Sequence, residues 1–156
     1  CIIPTNIYGK YDNFHLEDAH VIPALVHKCY LAKKNDNDFI IKGSGKPLRQ
    51  FIYNLDLAKL ILKMLFTYED KEPIILSVSE GDEVSIAHVA RTIAKWFKYE
   101  ERIKFDCDSA DGQFKKTADN QKLMKLYPET EFTSIDDGIA TTVEWFNITP
   151  DYLIRK

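Results

Sequence analysis

The secondary structure of this chain is arranged about residues 4–20, Pro4-Thr-Asn-Ile-Tyr-Gly-Lys-Tyr-Asp-Asn-Phe-His-Leu-Glu-Asp-Ala-His20. An apolar run, Cys1-Ile-Ile3, precedes this stretch, and a helical pattern of apolar residues follows it over residues 19–34. A strand, a polar loop and a helix in this order are typical of α/β enzymes, whose ligands bind in loops at the carboxyl ends of parallel strands. We therefore expect reactive groups on residues 4–20.

The first strand carries an expectation about the whole protein. A buried strand of three residues is an unusual start for a domain, because a strand needs neighbours on both sides to bury its backbone. We expect the strand of residues 1–3 to be buried in a parallel sheet whose other strands lie upstream. The chain is then expected to be the C-terminal part of a longer protein.

The remainder alternates short apolar runs with amphipathic helices, which predicts a mixed α/β fold. Strands are predicted at residues 39–42, 49–53, 73–78 and 103–106. Further helices are predicted to begin near Asp56, Ser85, Asp119 and Ile135. Asp18 or Glu17 is expected to cap the helix of residues 19–34.

Composition excludes several classes of protein. The chain has 156 residues, of which 45% are hydrophobic and 29% charged, with a formal net charge of −3. This balance predicts a folded protein and argues against nucleic-acid binding through bulk charge. No apolar run approaches the roughly 18 residues of a membrane helix. The odd number of cysteines (Cys1, Cys29 and Cys107) fits no metal motif, so we expect reduced thiols, no metal and a cytoplasmic protein.

His20 is the first candidate for chemistry. It lies where a helix is expected to begin, and the backbone N–H dipoles of that position favour a neutral imidazole, which can accept a proton. A capping or surface histidine is the alternative, and the position alone leaves both open.

Arg49 is the second candidate, because it follows the loop Gly43-Ser-Gly45. Glycines allow close approach, and a guanidinium matches the oxygens of a diphosphate, although a surface arginine is the alternative. Three lysines are available to extend a positive patch: Lys28, Lys42 and Lys116. Asp111, in Asp111-Gly112, is either a turn residue or an acceptor for ribose hydroxyls or a guanine edge.

Four segments together resemble the GDP-L-fucose synthase family of extended short-chain dehydrogenases. They are Pro4-Thr-Asn-Ile-Tyr-Gly9 with Asp12-Asn-Phe14, His20-Val-Ile-Pro-Ala-Leu25, Gly43-Ser-Gly-Lys-Pro-Leu-Arg-Gln-Phe51 and Asp111-Gly-Gln-Phe-Lys-Lys116. The resemblance runs from residue 1 to the last helix. Enzymes of this family are GDP-4-keto-6-deoxy-D-mannose 3,5-epimerase/4-reductases that use NADPH.

The resemblance implies that residues 1–156 are the C-terminal nucleotide-sugar-binding portion, without the N-terminal Rossmann half that binds most of NADP(H). The reductase serine, tyrosine and lysine and the epimerase cysteine would lie upstream, with His20 as the acid/base partner of that cysteine. The implied cofactor contacts are Pro4, Thr5, Asn6, Ile7 and His20. The implied substrate contacts are Asn13, Lys28, Lys42, Arg49, Asp111 and Lys116. Lys28 and Lys42 stand where some members carry arginine and tryptophan.

The resemblance also implies a GDP-sugar substrate and a homodimeric whole protein, with residues 1–156 alone inactive. Two alternatives stay open. One is another sugar-nucleotide epimerase or dehydratase of the same superfamily, which shares the Tyr8-Gly9 turn but needs no acid/base group at His20. The other is a nucleotide-sugar-binding or regulatory module without catalysis.

Overall fold

The structure, a computed structural model, describes residues 1–155. The mixed α/β class is confirmed. The β-strands are β1 (Ile2–Pro4), β2 (Asn6–Tyr8), β3 (Phe39–Lys42), β4 (Leu48–Arg49), β5 (Phe51–Tyr53), β6 (Ile74–Leu76), β7 (Val84–Ser85) and β8 (Ile103–Asp106). The α-helices are α1 (Val21–Lys34), α2 (Asn54–Thr67), α3 (Ile86–Phe97), α4 (Gln121–Leu126) and α5 (Ile135–Ile148).

The strands pair in four two-stranded units. β1 pairs with β6, β2 with β5 and β3 with β8, all in parallel, whereas β4 and β7 are antiparallel. Parallel partners need a crossover, and α2 lies in the one that leads from β1 to its partner β6. Ligands of α/β proteins bind at the loops that follow the carboxyl ends of parallel strands. The loops that follow β2, β3 and β8 are therefore candidate positions for a ligand site.

The predicted parallel pairing of the first strand is confirmed, whereas its burial by upstream strands stays a prediction. Ile2 and Ile3 keep 36% and 48% of their surface exposed. Within residues 1–155, β1 pairs along one edge only, with β6, so its side chains are covered incompletely.

The start of α1 also differs from expectation. The residue before the helix is His20, and neither Asp18 nor Glu17 caps the helix. The His20 carbonyl instead accepts the Ala24 N–H at 3.0 Å. Pro23 lies in the first turn, where its missing N–H leaves one donor fewer to satisfy, so the helix begins without a side-chain cap.

The other helix starts lie close to their predicted positions. Ser85 caps α3 as predicted, since its hydroxyl accepts the His88 N–H at 3.1 Å. Asp119 accepts the Gln121 N–H at 2.8 Å at the start of α4. Asp56 lies inside α2 and its carboxylate accepts the Thr133 N–H at 2.7 Å, which fixes the segment leading into α5.

Two apolar clusters form the core. The larger cluster lies among α1, α3 and α5 and includes Phe14, Val26, Ile93 and Phe146. The smaller cluster lies beneath α2: Ile52, Leu57, Leu60, Met64, Ile74, Leu76, Leu123 and Tyr127. The polar loops that follow β3 and β8 therefore lie next to the larger cluster.

β2 and α5 approach each other closely where Tyr8 of β2 packs against Gly138 of α5. Tyr8 is 1% exposed, and its ring lies against Gly138 of α5. A methyl group at Gly138 would approach Tyr8 Cζ to 2.8 Å, closer than real side chains pack. The buried ring has little room to move, because Phe51 and Tyr53 also pack against it.

We therefore expect Gly138→Ala to lower the free energy of unfolding. Overpacking of a core costs typically about 1–3 kcal/mol, which outweighs the gain of about 1 kcal/mol in helix propensity. Urea unfolding of the whole protein measures this change. Gly81→Ala is the matched control, because nothing lies within 4 Å of the added methyl group. Equal stabilities of the two variants would contradict this packing.

Candidate functional site

A cavity of about 310 Å³ lies between α1, the turn after β3 and the loop after β8. Four charged side chains line it: Lys28, Lys42, Arg49 and Asp111. Its apolar wall is formed mainly by Leu16, Val21, Leu25, Ile41, Pro47 and Ile86. The fold thus brings together four of the six predicted substrate contacts, and with three cations against one carboxylate the lining is net positive.

The glycine loop explains how these cations come together. Gly43 and Gly45 have φ angles of +83° and +72°, which other residues adopt only with strain. A side chain at Gly45 would also collide with Ala87 and with the ring of Phe105. The chain therefore reverses immediately after Lys42 and returns through β4, which brings Arg49 to the same cavity.

Arg49 is positioned by carbonyl groups. Its Nη1 donates to the Leu48 carbonyl at 2.6 Å and lies 3.5 Å from the Phe114 carbonyl, while Gly112 lies beside Nη2. Among residues 1–155, no carboxylate forms a salt bridge with Arg49. Its positive charge therefore remains available to an anionic ligand, and the guanidinium is already oriented.

Asp111 is held by the glycine loop. One carboxylate oxygen accepts the Ser44 N–H at 2.8 Å, and the other accepts the Ser44 hydroxyl at 2.5 Å. Each carboxylate oxygen has two acceptor positions, so Asp111 can accept further hydrogen bonds from a ligand. Ser44 was not among the predicted site residues, although the Gly-Ser-Gly motif pointed to this turn.

His20 is exposed and lies outside the cavity lining, although its neighbours Ala19 and Val21 both line the cavity. The sequence did not single out Asp12 as its neighbour. Burial raises the pKa of the Asp12 carboxyl, while the Asn13 backbone N–H and the nearby His20 imidazole lower it. An exposed imidazole with a carboxyl group close by has the chemical character of a general acid/base residue.

Asn13 and Lys116 lie outside the cavity. The Asn13 side chain accepts the His15 N–H at 3.1 Å, and the backbone beside it pairs with Arg155. Lys116 is exposed, two residues before Ala118. The cavity as it stands therefore does not include these two predicted substrate contacts.

Four of the five predicted cofactor residues, Pro4 to Ile7, follow one another across β1 and β2. Pro4 and Asn6 are exposed, whereas Thr5 and Ile7 are half-buried. Asn6 donates its side-chain N–H to the Gln50 carbonyl at 2.8 Å. The Thr5 hydroxyl is buried and has no hydrogen-bond partner among the described residues. Pro4 and Asn6 thus offer exposed surface at the carboxyl end of β1, where ligands of α/β proteins bind.

Gln50 supports both groups of residues. Its side chain is buried, donates to the carbonyls of Val78 and Ala118 at 2.8 and 3.1 Å, and accepts the Ala118 N–H at 2.7 Å. The sequence analysis missed this role, although a glutamine inside the apolar run of residues 49–53 was a visible signal. A buried amide is stable only when its hydrogen bonds are made, so Gln50 fixes these segments.

No cluster of three or more His, Cys, Asp or Glu side chains within residues 1–155 is arranged to hold a metal ion. None of the helices described there has both the length and the apolar character that crossing a bilayer requires.

Comparisons with known proteins give a consistent result. A model of the NAD dependent epimerase/dehydratase family matches residues 1–79. GDP-L-fucose synthase of Dictyostelium discoideum is 54% identical over 145 residues, which are 93% of this chain and 45% of that protein. GDP-L-fucose synthase of Escherichia coli K12 is 35% identical over 153 residues, covering 93% of this chain and 47% of that protein.

Solved structures are similar over nearly the whole chain. A GDP-L-fucose synthetase from Naegleria fowleri bound to NADP has a TM-score of 0.94 and 47% identity, covering 99% of this chain and 48% of that one. A dTDP-glucose 4,6-dehydratase from Bacillus anthracis has a TM-score of 0.78 at 15% identity, which shows the fold alone. The chain spans about half the length of the curated relatives it matches.

Cys29 lies in an environment that disfavours its thiolate form, so it is a poor candidate for an acid/base group. Its side chain is fully buried in the larger cluster, and burial raises the pKa of its thiol to about 12 despite the opposite effect of Lys33. Cys107, by contrast, is exposed. The thiolate is the reactive form of cysteine, so these two residues should differ in reactivity.

We expect iodoacetamide at pH 8 to label Cys107 in the folded protein and to label Cys29 only after unfolding. Mass spectrometry of tryptic peptides measures each residue separately. Cys107→Ser is the control, since it should remove the rapid labelling without exposing Cys29. Labelling of Cys29 in the folded protein at the rate of Cys107 would show that this helix interface is open.

Proposed function

Because the chain belongs to the NAD-dependent epimerase/dehydratase family, we propose that it is the nucleotide-sugar-binding portion of an NADP-dependent epimerase-reductase. The reaction is the 3,5-epimerisation and 4-reduction of GDP-4-keto-6-deoxy-D-mannose to GDP-L-fucose. The observation that carries the proposal is the net positive cavity, which brings Lys28, Lys42, Arg49 and Asp111 together. The 54% identity to a GDP-L-fucose synthase supports this choice of substrate.

The cavity suits the nucleotide end of the substrate. Arg49 presents a planar fork to the diphosphate, and Lys28 and Lys42 add mobile positive charges. Asp111 accepts hydrogen bonds from ribose hydroxyls on the acceptor positions that Ser44 leaves open. Asn13 and Lys116, outside the cavity lining, are assigned to parts of the substrate that extend beyond it. At position 42, where some family members carry tryptophan, the lysine attracts the nucleotide by its charge and provides no ring to stack on the guanine.

The cofactor would bind mainly to residues outside this chain. Pro4, Thr5, Asn6 and Ile7, with His20, would form the wall on the nicotinamide side, at the carboxyl end of β1. The exposed surfaces of Pro4 and Asn6 fit this role, and Gln50 holds Asn6 in place. When bound, NADPH supplies the hydride for C4. The whole protein is expected to be a cytoplasmic homodimer, and residues 1–156 alone are expected to oxidise no NADPH.

His20 carries the epimerase chemistry in this proposal. The 4-ketone acidifies the C–H groups at C3 and C5, so one group removes a proton and another returns one on the opposite face. His20 is exposed and therefore accessible to the sugar, and it donates or accepts this proton. The second group is a cysteine outside this chain, as the family resemblance implies, because Cys1, Cys29 and Cys107 do not match its position.

We predict that Arg49→Ala in the whole protein weakens GDP binding by about 1.5–3 kcal/mol, the range for a hydrogen bond to a charged group. This corresponds to roughly a 10- to 150-fold larger Kd, measured by titration calorimetry. Arg49→Lys should recover part of the affinity, because the charge returns without the planar fork. Arg91→Ala, an exposed arginine on α3 outside the cavity, is the control. If Arg49→Ala binds GDP with the wild-type Kd, Arg49 does not contact the nucleotide.

We predict that His20→Gln in the whole protein slows GDP-L-fucose formation by about 10²–10⁴-fold, the usual contribution of a general acid/base group. Glutamine retains polarity and approximate size but does not titrate. Direct reduction of the unepimerised ketone should survive better, giving GDP-6-deoxy sugars of the wrong configuration.

Solvent deuterium incorporation at C3 and C5 measures the proton transfer directly. It should fall in His20→Gln and stay unchanged in His88→Gln, which alters a surface histidine paired with Asp136. If His20→Gln incorporates deuterium at both carbons as fast as the wild type, His20 acts only as the residue that precedes α1.

A further inference from the structure

Residues 107–118, here called the strap, form one wall of the cavity. Ala110, Asp111 and Gly112 are the strap residues that line it. The strap follows β8 after Asp106, passes beside Ser44 of the glycine loop and ends beside Gln50. Its contacts with the rest of the protein differ in strength along its length.

The second half of the strap is firmly attached. The Phe114 carbonyl accepts the Leu48 N–H at 2.8 Å, and Lys115 pairs with Glu80 and Glu83. Ala118 exchanges two hydrogen bonds with the buried side chain of Gln50. Breaking the two bonds between Ala118 and Gln50 would leave a buried side-chain amide without partners, which is costly.

The first half of the strap is attached differently. Within residues 1–155, Ser109 bonds only to nearby Asp106, through its backbone N–H at 3.2 Å and its hydroxyl at 2.6 Å. Asp111 makes the contact across to the glycine loop, with one bond to the Ser44 N–H and one to the Ser44 hydroxyl. Asp111 is exposed, so its bonds with Ser44 can be replaced by bonds with water at small cost.

We propose that Ser44 is a positioning residue of the nucleotide-sugar site, which holds the Ala110–Gly112 wall against the cavity through Asp111. Release of this contact opens the first half of the strap, while the half attached to Gln50 stays in place. The closed wall retains the GDP moiety, and opening lets it leave. The choice of GDP as ligand rests on the proposed function, whereas the contact itself does not.

Ser44 makes this contact without lining the cavity, so the contact can be tested without altering the ligand surface. Ser44→Ala removes the hydroxyl bond to Asp111, together with the bond that the same hydroxyl accepts from the Lys46 N–H at 3.2 Å, and it keeps the backbone N–H bond to Asp111. Ser44→Thr restores a hydroxyl. Ser109→Ala is the matched control, because it removes a serine–carboxylate bond of the strap that does not reach the glycine loop.

The first measurement is hydrogen exchange of peptides that contain the Ser44 backbone N–H, which donates to Asp111, in the whole protein without nucleotide, relative to the intrinsic rate of each sequence. The lost bond joins a hydroxyl to an exposed carboxylate, so its loss should speed exchange by about 3- to 10-fold in Ser44→Ala. Exchange in Ser44→Thr and Ser109→Ala should stay close to wild type. If exchange in Ser44→Ala equals that of the wild type, Ser44 does not hold the strap and the proposal is overturned.

The second measurement is stopped-flow binding of a fluorescent GDP. The dissociation rate should rise in Ser44→Ala by a similar factor, with a smaller change in the association rate and with recovery in Ser44→Thr. Faster exchange with an unchanged dissociation rate would overturn the role in retaining ligand. If the wild type binds no GDP, the proposed function fails, and the exchange measurement still decides whether Ser44 holds the strap.

Discussion

The buried side-chain amide of Gln50 is the constraint on which the arrangement of the site depends. It joins the end of the strap at Ala118 to the segment after β6 at Val78, while the Gln50 carbonyl holds Asn6. An amide in a buried position must satisfy its donors and acceptor or lose several kcal/mol. The residues proposed for the cofactor and the strap that borders the substrate cavity therefore take up their positions together.

This arrangement divides the site into a rigid part and an adjustable part. Arg49 precedes Gln50 in the chain and is oriented by backbone carbonyls, so its direction follows from the fold itself. Lys28 lies in the middle of α1 and Lys42 at the end of β3, and their flexible side chains are less restricted. A site of this kind offers an anionic ligand one cation that is already oriented, which limits the entropy lost on binding. The two lysines can adapt to the ligand.

The structure also separates two kinds of histidine. His27 is buried and its ring lies 2.8 Å from the Phe14 carbonyl, so it contributes to the packing beneath the opening loop. His20 is exposed at the start of α1, with Asp12 close by. The two histidines are seven residues apart, about two helical turns, so spacing does not distinguish them. Burial is what distinguishes a structural histidine from one that a substrate can reach.

Local patterns in the sequence were sufficient for the helices and the glycine loop, because helix periodicity, capping residues and glycines at positive φ act over a few residues. They did not predict the short strands β2 and β7, whose pairing partners lie far along the chain. Ser85 at the start of α3 is such a case. The family resemblance supplied the roles proposed for His20, Arg49 and Asp111, which spacing alone left open.

Contacts between distant segments were decided by the tertiary structure alone. Ser44 and Asp111 are 67 residues apart, and Gln50 and Ala118 are 68 apart, so no short-range pattern relates them. The exposure of β1 likewise depends on which strands lie beside it, not on its own apolar residues. Hydrogen-bond satisfaction and burial are properties of the packed chain, and a sequence shows only which residues are able to provide them.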